Sequence, residues 1–303
     1  VLEIGAVESG KTLATCESLI LRLKEENIRR GDRLLAVGGG ITQDLTSFVA
    51  QVYMRGLDWD YAPTTLMAMA DSCIGGKSSI NAGGIKNVVG GFHPPEQVFV
   101  DPAFLSSLTQ SAVAAGLAEA AKIAYCRGAD SMQEYLEHYD GFAANPTALI
   151  DQVLRAKKWF VEVDEYDNGE RRLLNFGHTF GHAFEAAVGH SLSHGLAVAV
   201  GILCAIRHPS ASTGPLVERL EAHVRELLSS APDLPPALLR FDIATFERAF
   251  RSDKKHTASA FRLILPRPGG GVSEVETDSG RAGWRSVEHA ALSAIESLVA
   301  APR

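Results

Sequence analysis

The sequence predicts an α/β region followed by a mostly helical one, and three observations carry that reading. A short apolar run, Arg33–Val37, closes on three consecutive glycines, Gly38–Gly40, and an apolar helical pattern follows at once. That is strand, tight turn and helix in the order of a parallel α/β unit. Past about Leu105 glycine thins out and helix formers take over. Finally, His178, His182 and His194 fall within seventeen residues, the first two four apart, so on a helix those two share one face.

The bulk numbers narrow the class. With 303 residues and 46% apolar content, the chain suits one large domain or two of ordinary size. The change in composition puts the boundary at 104/105, with a ligand cleft expected between the halves. A net charge of -7 without a basic stretch speaks against nucleic acid as a partner. No apolar run is long enough to span a bilayer, and no charged-then-apolar leader opens the chain. Four scattered cysteines without a CxxC pair suit a reducing cytosol. The chain begins at Val1 in what reads as the middle of an α/β unit, so a missing N-terminal piece is the expectation.

Element by element, Leu13–Leu23 carries a helical pattern that runs on toward Ile28 and stops at Gly31. Arg33–Val37 reads as a buried parallel strand, and the helix after Gly40 runs through Phe48, Val49, Val52 and Tyr53. Backbone N–H groups at such a strand–glycine–helix junction can approach a phosphate; a tight turn without a ligand fits equally. Trp59–Ala62 is a second strand, ended by Pro63-Thr64-Thr65. Asp71 to Gly91 mixes acidic, basic, hydroxyl and amide side chains with paired glycines, which makes it a poor core element. Its lysines and asparagines suit an anionic substrate, and a solvated surface loop is the alternative. Val98–Asp101 reads as the last strand of this half.

In the second half, Ala112–Tyr125 is an alanine-rich helix bearing Glu119 and Lys122, three apart on one face. Leu149–Val163 is a helix with Lys157 and Lys158. Leu216–Leu228, Pro235–Leu239, Ile243–Phe250 and Val287–Val299 read as further helices, Ser252–His256 as a charged turn and Ala260–Leu265 as a short strand. Between them, a helix bearing His178 and His182, a polar break at Gly189-His190-Ser191 and a second helix would bring His194 back toward the first pair. Imidazole is the commonest side-chain ligand for a transition metal, and a catalytic zinc takes three protein ligands. Structural histidines fit the same spacing, and an acidic third ligand decides between the two.

Taken together, Gly38–Gly40 with Asp44, Arg55-Gly56, Pro63–Leu66, Asp71 with Gly75-Gly76-Lys77, Lys86-Asn87, Gly116–Lys122, Leu174–His182 and His194-Gly195 occur in one order. That order resembles 3-dehydroquinate synthase and the wider sugar phosphate cyclase family, over roughly residues 8 to 265. The resemblance implies a Rossmann-like NAD-binding α/β domain over 1–104, followed by a mostly α-helical metal- and substrate-binding domain over 105–303. It makes Glu119, His178 and His194 the ligands of Zn2+ or Co2+, and gives His182 a proton-transfer or hydrogen-bonding role. It assigns Glu8, Lys11, Gly39, Gly40, Asp44, Thr64, Thr65 and Lys86 to NAD. Asp71 and Lys122 become polar catalytic groups at the substrate.

The same resemblance gives Arg55, Lys77, Asn87, Asn175 and one of Lys254 or Lys255 to the phosphate and hydroxyls of a sugar phosphate. Arg55 would reach in from a neighbouring subunit, which implies a homodimer. Lys157 and Arg171 match the carboxylate readers, which favours 3-deoxy-arabino-heptulosonate 7-phosphate as substrate and 3-dehydroquinate as product. The implied enzyme is a cytoplasmic, phosphate-eliminating lyase of the shikimate pathway whose NAD returns unchanged. The rivals are cyclases of an amino analogue or of sedoheptulose 7-phosphate, a metal-dependent polyol dehydrogenase, and a non-catalytic binding protein.

The sequence also departs from the family pattern. Leu196 stands where His-Gly-Glu is usual, so a carboxylate beside the metal is missing. Cys73, Ser78-Ser79 and Asp167 differ from the common wording, and Pro209 interrupts an expected long helix.

Overall fold

The computed structural model describes residues 1–299, in two compact units, Val1–Leu108 and Thr109 onward. In the first unit, Thr12 caps α1 (Leu13–Glu25) by accepting the Thr15 N–H, and Cys16, Leu19 and Leu23 bury one helical stripe. The helix stops short of Gly31, turning at Asn27 with a positive φ of 58°. β1 (Arg33–Gly38) and β2 (Asp58–Pro63) pair in parallel, Arg33 opposite Asp58 and Gly38 opposite Pro63. α2 (Gly40–Val52) forms the crossover that a parallel pair requires. Leu35 and Val37 remain exposed, so β1 is covered on one face only, against the fully buried strand expected.

Two further expectations for this half are corrected. The solvated loop that stood as the alternative for Asp71–Gly91 does not hold for its larger part: β3 (Lys77–Ala82) and β4 (Ile85–Phe92) form an antiparallel hairpin around Gly83-Gly84, both at positive φ. Its small and polar residues hid the alternation that normally betrays a strand; Ile80 is fully buried, while Ile85 and Val88 stay exposed. Val98–Asp101 is not a full strand either. A single bridge joins Val98 to Tyr61, flanked by hydrogen bonds from Tyr61 N to Gln97 O and from Phe99 N to Tyr61 O.

The second unit is built on two helices buried almost all round. α3 (Gln110–Arg127) is capped by Thr109, and small alanines let its neighbours approach; α7 (His194–Arg207) is buried from Gly195 to Ile206. α6 (His178–Ala187), α8 (Pro215–Ser229) and α11 (Arg281–Val299) pack on α7, and α10 (Ile243–Arg251) packs on α6. α4 (Ala129–Asp140) and α5 (Pro146–Val163) lie against α3, and α9 (Leu234–Leu238) is a single short turn. α4 went unread because Gly128, at φ 129°, separates it from α3 by one residue. β5 (Ala260–Pro266) has an antiparallel partner, β6 (Val272–Asp278), whose Glu274, Glu276 and Asp278 face outward. α7 ends at Arg207, so Pro209 follows the helix rather than kinking it.

One buried histidine of this unit tests the packing. His223 on α8 is 5% exposed, with Nε2 2.9 Å from the Tyr135 hydroxyl and its ring against Tyr139. Burial pushes its pKa down to about 4, with Glu226 and Asp140 offsetting part of that. The unfolded chain binds the proton more readily, at about pH 6.5, so the contribution is complete above that pH. It is lost as pH falls toward 4, an effect of at most about 3 kcal/mol. His223→Gln keeps a polar partner for Tyr135 and cannot titrate. The gap between urea midpoints at pH 7 and 4.5 should therefore narrow in this variant; an undiminished acid loss would place the titration elsewhere.

Candidate metal centre and nucleotide site

In the second unit, three elements bring one acid and two histidines together. Glu119 comes from the middle of α3, where it is 1% exposed, His178 opens α6 and His194 opens α7. Gly177, in the left-handed region at φ 76°, turns the chain into α6 and aims His178 inward. Glu119 Oε1 lies 4.0 Å from His178 Nε2 and 3.7 Å from His194 Nε2. The three ligand atoms lie within 4.8 Å of one another. Ligand atoms about 2.0–2.1 Å from a tetrahedral ion sit about 3.4 Å apart, so a small contraction would seat one.

Two details fit a cation. Glu119 Oε1 is buried with no hydrogen-bond partner among the described residues. Its other oxygen accepts from Lys122 Nζ at 2.5 Å, so one oxygen is neutralised and the other is left for a second positive charge. His178 is held neutral, the form that ligates: burial drives its pKa well down, and Lys122, His194 and His182 add repulsion. Its Nδ1 lies 3.2 Å from Phe176 O, which fixes the proton there and leaves Nε2 with its lone pair toward Glu119.

The neighbouring residues then sort themselves. His182 is solvent-exposed, its ring centroid 5.5 Å from that of His178 and 5.4 Å from that of His194. Of the two candidate lysines, Lys255 is the one whose charge acts on His178 and His182; it is anchored to Asp253 at 3.2 Å, whereas Lys254 is exposed. Asn175 donates to Arg172 O one turn before His178. Arg171 is buried and donates through Nη1 to Glu165 O, while its backbone N–H joins those of Asn168 and Gly169 on the Asp164 carboxylate. Lys157 is buried on α5. The reading of the sequence missed Asp164, Asp253 and Glu185. Glu185 was open to detection, since it lies three residues after His182 and seven after His178, on the same helical face.

In the first unit, Gly38, Gly39 and Gly40 form the junction between β1 and α2, and no side chain caps α2. The Thr64 N–H donates to Gly38 O, and a Cβ on Gly39 would press on Thr65 Cγ2 at 3.0 Å. Gly39, Gly40, Thr64 and Thr65 thus line one narrow backbone cradle, the kind in which helix N–H groups meet a phosphate. Beside it, buried Lys11 bridges Asp44 Oδ2 at 2.9 Å and Asn87 Oδ1 at 2.8 Å, with Glu8 at 3.8 Å. Burial pushes the Asp44 carboxyl up, and Lys11 pulls it part of the way back. Asn81 ties in Glu8 and the Asn87 N–H. Asn87, expected among the substrate groups, is therefore held in the cluster of Lys11 and Asp44. Lys86 precedes it on β4, Lys77 opens β3, Asp71 lies in the short π-helix Ala68–Ser72, and Arg55 is exposed after α2 at φ 69°.

A glycine-cradled α/β unit and a helical unit with a buried acid and two histidines are the parts of a metal-dependent enzyme that handles a nucleotide. Family models described as 3-dehydroquinate synthase N-terminal and C-terminal match residues 1–115 and 116–256, and the chain belongs to the 3-dehydroquinate synthase family. The 3-dehydroquinate synthase of Latilactobacillus sakei subsp. sakei (strain 23K) is 39% identical over 272 residues, 87% of this chain and 73% of that protein. A 2-epi-5-epi-valiolone synthase from Streptomyces hygroscopicus subsp. jinggangensis 5008, solved with NAD+ and Zn2+ bound, is 27% identical with a TM-score of 0.78, covering 97% of this chain and 82% of that one. A 2-deoxy-scyllo-inosose synthase complexed with carbaglucose-6-phosphate, NAD+ and Co2+ gives a TM-score of 0.79 at 24% identity, covering 96% and 82%, a likeness of fold alone. No helix among the described residues is long and apolar enough to cross a membrane.

Proposed function

We propose that this enzyme converts 3-deoxy-arabino-heptulosonate 7-phosphate into 3-dehydroquinate with release of phosphate, using NAD and a divalent metal. The observation that carries the reading is the Glu119–His178–His194 cluster, its glutamate buried and held by Lys122, in a chain of this family. When bound, NAD+ supplies a hydride acceptor that returns the hydride within one turnover, and Zn2+ or Co2+ supplies a Lewis-acid charge.

The chain's own residues do the rest. Glu119, His178 and His194 hold the metal, and Lys122 keeps Glu119 in place while offering its ammonium to developing oxyanions. His182, open to solvent beside the ligands, exchanges protons with the substrate. The Gly39–Gly40 cradle with Thr64 and Thr65 takes the dinucleotide phosphates, and Glu8, Lys11, Asp44 and Lys86 take the rest of NAD. Asp71 is a catalytic polar group. Arg55, Lys77, Asn87, Asn175 and Lys255 read the substrate phosphate and hydroxyls, Arg55 from a second copy in a homodimer, which its exposed left-handed turn supports. Lys157 and Arg171 read the carboxylate, and the buried guanidinium, held at Glu165 O, is suited to that. The four cysteines are all buried, which agrees with a cytoplasmic enzyme.

The test is phosphate release from 3-deoxy-arabino-heptulosonate 7-phosphate with NAD+ and Zn2+ or Co2+, followed alongside NADH absorbance. Phosphate without net NADH is expected; NADH accumulating without phosphate would make the enzyme a dehydrogenase instead. Arg171→Ala should lower kcat/KM by about 10²- to 10³-fold, since it removes one partner of a desolvated charge pair. It should also erase the preference over sedoheptulose 7-phosphate, and an unchanged preference would refute the carboxylate assignment.

A further inference from the structure

We infer that Glu185 is the positioning carboxylate of the metal centre, supplied by α6 in place of the acid that α7 lacks at Leu196. The inference rests on the metal reading above and concerns which group orients His194. The two imidazole nitrogens of His194 face two different acids: Nε2 is 3.7 Å from Glu119 Oε1, and Nδ1 is 3.6 Å from Glu185 Oε2. A carboxylate at Nδ1 keeps the proton on that nitrogen, aims the ring, and leaves the Nε2 lone pair for the metal. His178 is treated in the same way by a weaker acceptor, the carbonyl of Phe176.

Glu185 is itself held. Its Oε1 lies 3.2 Å from His190 Nδ1, and the His190 backbone N–H donates to the Glu185 carbonyl at 2.8 Å. The turn between α6 and α7, with Gly189 and His190 both at positive φ, brings His190 back over α6 and clamps the carboxylate. Leu196, by contrast, is fully buried, at the start of the stretch Gly195–Ile206 that α7 buries throughout. The site therefore keeps a carboxylate behind its third ligand although the sequence places none after His194.

The experiment measures Co2+ affinity of the metal-stripped full chain by chelator competition, together with the visible d–d spectrum of the Co2+ form. Glu185→Gln should weaken binding about 10- to 100-fold and shift the spectrum. His194→Ala should abolish specific binding, and His190→Ala, which loosens the clamp but leaves the carboxylate, should weaken binding less than Glu185→Gln does. If Glu185→Gln binds like the parent while His194→Ala does not, Glu185 plays no such part and the metal centre stands. If His190→Ala loses as much as Glu185→Gln, the effect belongs to the turn and the inference falls. Unchanged binding in His194→Ala would remove the metal reading itself.

Discussion

Glu119→Gln should strip the enzyme of its metal and of phosphate release, and should also destabilise the fold. The two losses have separate causes. Oε1 is the buried, unpartnered oxygen facing both histidines, and an amide there offers only a neutral, weak ligand. Oε2 neutralises Lys122, which is 2% exposed. Removing one member of a buried ion pair costs about 3–5 kcal/mol, because the remaining charge is left in a poor dielectric.

The double variant Glu119→Gln/Lys122→Met separates the causes. It removes both charges, so stability should return to near the parent value while metal content and activity stay lost. Urea unfolding and metal analysis on the three proteins decide it. A single variant that retains stoichiometric metal would show that Glu119 is no ligand. A double variant as unstable as the single one would show that the ion pair is not the source of the loss.

How much of this could be seen in the sequence depends on the distance over which a signal acts. The four-residue step from His178 to His182 and the polar break before His194 are local, and they predict α6, the turn and α7 as found. Glu119 lies 59 residues before His178, and no periodicity joins them; only the order of motifs shared with a family brought it into the set. The pairing of Lys122 with Glu119 is a helical three-residue step, legible as a face but not as buried. The hairpin Lys77–Phe92 was hidden because Ser, Asn and Gly fill positions where apolar alternation would have marked strands. Glu185 was legible as a member of the His178–His182 face, but its place beside His194 was not, because that depends on a turn with two residues at positive φ, a conformation that His190 does not announce. Leu196 drew attention to a missing acid, and the folded chain supplies one from another helix.

Gly201→Ala should be strongly damaging although it touches no candidate functional residue. α6 and α7 cross at Gly177, Gly181 and Gly201, where backbone meets backbone. A Cβ on Gly201 would fall inside the Gly177 carbonyl oxygen and 2.6 Å from Gly181 N, and neither atom can swing aside as a side chain would. The helices must separate by about 1 Å to restore contact distance, and overpacking of this kind costs about 1–3 kcal/mol, here at the upper end. For a chain of this size that is a fall in Tm of about 6–12 °C. Because His178 follows Gly177 directly and His194 opens α7, the same separation spreads the two imidazoles. Metal affinity should therefore fall together with Tm. Gly189→Ala is the control: it sits at positive φ, which Gly201 does not, but nothing lies within 4 Å of its Cβ, so it should lose about 1 kcal/mol. It should also keep its metal. Calorimetry and Co2+ titration on both variants decide the matter. If Gly201→Ala melts like the parent and binds Co2+ as tightly, the close crossing of α6 and α7 is not what holds the two histidines at ligand distance.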